Sequence, residues 1–233
     1  MKRILTFFLL LALFSSCKSP MNNLGNVATN PGQSVPTVTD QLASNLPPAQ
    51  ADSLQKVVWQ QFQGQNGAKW RIRWSKTTGL PVSVWLGETK KAYTGSAEQS
   101  ARAFLADYQT LFGFVSLNQL KYVRTQTNRG ISHVTFNQTV NGVPVYDAEF
   151  KVHIRQDGHV GMANGYYYPN IKVSTTPGIT ASDAGQTAQT DLGSSVKATV
   201  PVTSSALVIY RDRKSQFHLA WKLILVSEQP LYD

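Results

Sequence analysis

Residues 131–154 read ISHVTFNQTVNGVPVYDAEFKVHI. Val134, Phe136 and Val140 alternate with polar residues up to Asn141-Gly142, the pair that a tight hairpin turn prefers because its central residues take positive φ. Phe150, Val152 and Ile154 alternate on the return, and a second turn at Asp157-Gly158 leads to Val160 and Met162. Residues 131–168 are therefore expected to form an antiparallel meander with one apolar face.

That face needs a partner, and the segment before it supplies one. Ser96 followed three residues later by Gln99 is a capping box, in which each side chain satisfies a backbone N–H that the first helical turn leaves unpaired. Ala97, Ala101, Phe104, Leu105, Tyr108, Leu111 and Phe112 form one apolar stripe, and Gly113 supplies the stop. Full burial of a large apolar side chain contributes about 1.5–3 kcal/mol, so the stripe is expected to lie on the meander.

Further upstream, Trp70, Ile72 and Trp74 alternate with Lys69, Arg71 and Arg73, and Leu80, Val82, Val84 and Leu86 continue at period two past Gly79, which describes a hairpin. Tryptophans interleaved with cations also suit a stacking platform for single-stranded nucleic acid. Alternation is what any half-buried strand shows, however, and no nucleic-acid partner is expected. Downstream, Thr180 is a candidate N-cap for a helix carrying Ala181, Ala184, Ala188 and Leu192, interrupted by Gly185 and stopped at Gly193. Leu207 to Tyr210 and Phe217 to Val226 read as two strands, so a helix followed by antiparallel strands occurs twice.

The N-terminus addresses the compartment. Lys2 and Arg3 precede an apolar run from Ile4 to Phe14 that fits the core of a secretory signal. The run is too short for a bilayer, which takes about 20 apolar residues of helix. Leu13-Phe14-Ser15-Ser16-Cys17 follows and resembles a bacterial lipoprotein signal, in which the matching residue, Cys17, is diacylated and becomes the new N-terminus. An ordinary signal cleaved nearby is the other reading. Cys17 is the only cysteine, so no intramolecular disulfide is available to the exported chain. Residues 18–52, rich in Asn, Ser, Thr, Gln and Pro, are expected to form a disordered tether. The net charge of +9 includes two cations in the leader, and it bears on association with anionic surfaces rather than on fold.

Gly130, His133, Val134-Thr135-Phe136-Asn137-Gln138, Asn141-Gly142-Val143-Pro144-Val145 and a strand closing on Asp157-Gly158 occur in that order, and residues 119–168 thereby resemble the fungalysin/thermolysin propeptide domain. Asn137 stands where that family usually has Gln. Residues 171–226 are similar to the companion PepSY domain, chiefly through His218-Leu219-Ala220-Trp221-Lys222. The resemblance implies an α+β chain of two cystatin-like units, each a helix packed on an antiparallel sheet, preceded by a β-hairpin. The expected organisation is a lipoprotein signal over 1–17, a tether over 18–52, a hairpin segment over 53–95, a propeptide-like domain over 96–170 and a truncated PepSY-like domain over 171–233. It also implies a pro-region that helps a protease domain to fold and blocks its cleft until cleaved away.

Catalytic patterns are missing from the sequence. A zinc peptidase of this type needs H-E-x-x-H, whereas the four histidines are followed by Val134, Ile154, Val160 and Leu219. His153 and His159 flank the Asp157-Gly158 turn and could approach each other across it, but two imidazoles without a third ligand do not define a zinc site. There is no G-x-S-x-G elbow and no phosphate-cradling glycine loop. Asp147 and Glu149 sit on one strand face that continues into Lys151, His153 and Arg155, which reads as a solvated face with cross-strand ion pairs. No catalytic, cofactor or metal residues are assigned, and Cys17 is the one expected modification site. The expected partner is a thermolysin/fungalysin-type peptidase domain, in cis within a longer zymogen that continues past Asp233, or in trans from a free-standing envelope lipoprotein. A surface ligand-binding or adhesion module using the basic hairpin is a third reading.

Overall fold

The computed structural model describes residues 3–10, 48–192 and 202–227. In chain order these form β1 (Arg3–Leu10), α1 (Pro48–Asn66), β2 (Arg71–Trp74), β3 (Pro81–Trp85), α2 (Ala97–Asp107), a short α3 (Gln109–Phe112), a 3-10 turn (Leu117–Gln119), β4 (Leu120–Asn128), β5 (Ile131–Val140), β6 (Val143–Arg155), β7 (Val160–Gly165), α4 (Ala181–Leu192), β8 (Val202–Arg211) and β9 (Phe217–Ser227). The architecture is α+β, with strands in the order β1-β9-β8-β6-β7-β3-β2 and with β5 and β4 continuing from β6 along a branch. Every pairing is antiparallel except β6 with β8, which is parallel and rests on the single rung Val145–Ile209.

The β4–β7 meander forms where the alternation requires it. Asn141 and Gly142 take φ of 49° and 83°, the left-handed region that the turn demands. The capping box at Ser96 is complete, with the Ser96 N–H donating to Gln99 Oε1 at 2.8 Å and the Gln99 N–H to Ser96 Oγ at 3.2 Å. Ala101, Phe104 and Leu105 from α2 enter one core with Val134, Phe136, Phe150 and Val152 from the sheet. Phe112 and Phe114 each meet Phe150 edge-on at 5.1 Å between ring centres.

The expected single helix breaks at Tyr108, whose φ of −119° is not helical, and α3 resumes for four residues before the left-handed Gly113. Tyr108 is held by other partners there: it packs against Phe62 at 4.8 Å and Phe104 at 5.1 Å. Phe62 belongs to α1, a helix that the sequence reading divided between a tether ending at 52 and a hairpin segment. Its apolar stripe is thin, essentially Val58 and Phe62 one turn apart, amid six glutamines that give no periodic signal. Docking rather than propensity holds α1, since Phe62 is 1% exposed and covers Trp70 edge-on at 5.1 Å. Trp70 is thereby fully buried and unavailable for stacking on a base.

Leu80, Val82 and Val84 are buried as the period-two pattern expects, but Leu86 is not; it is 67% exposed at φ 66°. The chain turns there so that Gly87 can pass over the indole of Trp70, where any β-carbon would collide with the ring. The Asp157-Gly158 turn closes against Tyr93, whose N–H donates to the Gly158 carbonyl at 2.9 Å.

In the second unit, α4 is capped by Thr180, which accepts from the Asp183 N–H at 3.2 Å while Asp183 Oδ2 accepts from the Thr180 N–H at 3.1 Å. Ala184, Gly185 and Ala188 are its buried residues among those described, and the helix packs on β8 and β9. Trp221 on β9 donates its indole N–H to the Ile179 carbonyl at 3.0 Å. Gly193, the expected stop, lies outside the described residues. Residues 3–10, read as part of an export leader, pair along the edge of β9 from Arg3–Ser227 to Leu10–Ala220. No helix among the described residues is long and apolar enough to cross a membrane.

Candidate functional site

The face of the meander turned away from α2 carries the polar residues of β6 and β7. At its upper end β6 changes its spacing: Thr139 pairs with Pro144, yet Asn137 pairs with Glu149, so five residues of β6 advance against two of β5. Three surplus residues make a larger, irregular bulge, and Asp147 sits at its crest with φ of 58°. Val145 and Ala148 both stay buried across the bulge, so Asp147 is turned outward.

Beside it opens a cleft of about 420 Å³ lined by Asp147, Glu149, Lys151, Asn164, Gly165, Tyr166 and Tyr168. Lys151 Nζ lies 3.1 Å from Glu149 Oε2, an ion pair made along β6 itself rather than across strands as expected. The cleft offers carboxylate acceptors, an amide and two phenols, a set that can hydrogen-bond a partner chain. It contains no nucleophile with a base beside it.

The four histidines each have a partner. His153 and His159 do not meet across the turn as the sequence suggested. His153 instead faces His133, its cross-strand neighbour, with the two Nδ1 atoms 2.6 Å apart and the rings T-shaped at 4.8 Å. His153 Nε2 lies 2.7 Å from Asn164 Oδ1. Facing an amide oxygen, that nitrogen carries the hydrogen, so Nδ1 of neutral His153 accepts and His133 Nδ1 donates. Burial holds the His153 pKa below its ordinary value, and the neighbouring His133 and Lys151 act in the same direction against the Asn164 bond.

His159 Nδ1 donates to the Thr89 carbonyl at 2.6 Å, and His218 Nε2 lies 3.0 Å from Asp212 Oδ2. Glu88, Asp157 and His159 bring ligand-type atoms within 4.8 Å of one another. Arg155 Nε, 3.7 Å from Glu88 Oε1 and 3.5 Å from Asp157 Oδ2, already answers those carboxylates. Cys17 lies outside the described residues.

Sequence reasoning missed the His133–His153 pair. Counting back from Asn141-Gly142 puts His133 opposite Phe150, and only the three surplus residues of the bulge bring it opposite His153.

Residues 118–167 match the Fungalysin/Thermolysin Propeptide Motif. The matched stretch runs from the 3-10 turn through all four meander strands, and most of the cleft and both paired histidines lie inside it. Among solved structures, the chain is similar to the Bacillus megaterium YpeB C-terminal domain at 15% identity and a TM-score of 0.36, over 74% of this chain and 86% of that one. The motif is a propeptide module and not a catalytic one, and it is found in secreted peptidases, which points to export and to association with a peptidase domain of that type.

Proposed function

We propose that this chain is the non-catalytic pro-region of a secreted zinc metallopeptidase, acting on its peptidase domain as intramolecular chaperone and inhibitor. The observation that carries the reading is the propeptide match over residues 118–167, a stretch that includes the whole β4–β7 meander. In a zymogen the peptidase follows in the same chain, and inhibition then works with modest intrinsic affinity. A short connection supplies an effective concentration on the order of millimolar. The outer face with its acidic and phenolic cleft is suited to hydrogen-bonding a partner without chemistry of its own.

The chain is held at the cell envelope by acylation of Cys17, with the Asn- and Pro-rich segment after it as a spacer. Two acyl chains anchor stably, whereas one binds only marginally. Cys17→Ser is expected to release the protein from the membrane fraction.

Purified chain is expected to slow casein and small-peptide hydrolysis by a thermolysin-type peptidase at micromolar concentration, and to raise the refolding yield of the denatured enzyme. Unchanged hydrolysis together with unchanged refolding yield would overturn the pro-region reading. Action in trans on a separately encoded peptidase predicts the same assay result with free-standing chain at physiological concentration.

A further inference from the structure

We propose that His133 and His153 form a transition-metal site on the outer face of the meander, selective for copper. Two imidazole Nδ1 atoms converge there from adjacent strands at 2.6 Å, where they share one proton, and a modest separation lets a cation take the proton's place. His153 is set up for that exchange. Its Nε2 hydrogen is pinned by Asn164 Oδ1 at 2.7 Å, which fixes the ring and leaves the Nδ1 lone pair directed at the shared position. An outer hydrogen bond of this kind is what orients metal-binding histidines. His133 needs only to move its Nδ1 hydrogen to Nε2 to present its own lone pair at the shared position.

Geometry favours copper over zinc. With metal–nitrogen bonds of about 2.0–2.1 Å, two ligands at a right angle stand roughly 2.9 Å apart and two tetrahedral ligands about 3.3 Å apart. The observed 2.6 Å reaches the square-planar separation with a small ring rotation, and the tetrahedral one only with more than twice the movement. Met162 is the β7 partner of His153 in the same cross-strand row, and so adds a thioether on that face. Gln126, the β4 partner of His133, completes the row with an amide oxygen. The two cations that flank His153 on β6, Lys151 and Arg155, are answered by Glu149 and by Glu88 with Asp157. This site is separate from the peptidase reading and stands whether or not the chain inhibits an enzyme.

The test uses the full chain carrying Cys17→Ser, so that the thiol does not compete, and Cu²⁺ buffered with glycine as the probe. Calorimetry is expected to show one equivalent bound, weakened at least tenfold by His133→Ala or His153→Ala and unchanged by His159→Ala. Where a variant folds poorly, the unsubstituted histidines report directly, since sub-stoichiometric Cu²⁺ is expected to broaden the imidazole proton resonances of His133 and His153 before those of His159 and His218. Binding that is unaffected in both variants, broadening that begins at His159 or His218, or no binding tighter than glycine would each overturn the site.

Discussion

Asn66 donates its amide N–H to the Tyr108 hydroxyl at 2.8 Å, joining the last turn of α1 to the break between α2 and α3. The same side chain donates to the Phe62 carbonyl at 3.1 Å and accepts from the Lys90 N–H at 3.2 Å. One 8%-exposed amide thus ties three segments together. Asn66→Ala strands the Lys90 N–H and is expected to cost about 1–3 kcal/mol in urea unfolding. Tyr108→Phe, which leaves the other two bonds in place, is expected to cost less.

Phe62 carries the docking of α1, lying between Trp70 and Tyr108 at 5.1 and 4.8 Å. Phe62→Ala is expected to destabilise by about 3–5 kcal/mol. Limited proteolysis of this variant is expected to cut first within residues 48–66, whereas a freely tethered segment would be cut equally fast in the parent protein.

Two glycines with nearly equal φ separate backbone strain from collision. Gly142 at 83° has open space where a β-carbon would stand, while at Gly158, at 84°, the β-carbon would run into the Tyr93 carbonyl oxygen. Gly142→Ala is expected to cost about 1–2 kcal/mol, the left-handed penalty alone. Gly158→Ala must also push the Tyr93 backbone away, and its urea midpoint is expected to fall well below that of Gly142→Ala.

Asp212 governs the acid response of the β8–β9 hairpin. Its carboxylate accepts from the Gln216 N–H at 2.8 Å and meets His218 at 3.0 Å, and these contacts, the backbone bond foremost, hold its pKa below the ordinary 3.8. A lowered carboxylate pKa means that the unfolded chain binds the proton more readily. The stabilisation is therefore fully present above pH 3.8 and is lost as pH falls from there through the lowered native value. Asp212→Asn is expected to flatten that part of the stability–pH curve, which acid titration of β8–β9 amide exchange measures.

Much of the layout was legible because short-range chemistry specified it. Ser96 and Gln99 announced a helix start, Asn141-Gly142 a turn, and the alternation around Phe136 and Phe150 the buried face. What the sequence hid depended on longer-range contacts. The α1 helix has little amphipathic signal and is held by Phe62 meeting Trp70. Leu86 left its strand face because Gly87 had to clear an indole. The paired histidines escaped because a bulge has no compositional mark at Tyr146 and Asp147, so any register counted from the turn is off by three residues at His133. Cys17 lies outside the described residues.

Backbone continuity between the meander and the β8–β9 hairpin narrows, among the described residues, to one rung, Val145 with Ile209. Apolar side chains around it, from Val140 and Val143 to Phe217 and Leu219, do most of the remaining joining, with Arg211 over the Tyr168 ring and Lys222 over the Tyr146 ring. Such a seam is held by grease more than by ladder, so cold or mild urea loosens it while both flanking halves keep their amide protection, and the molecule parts along it like a page along a perforation.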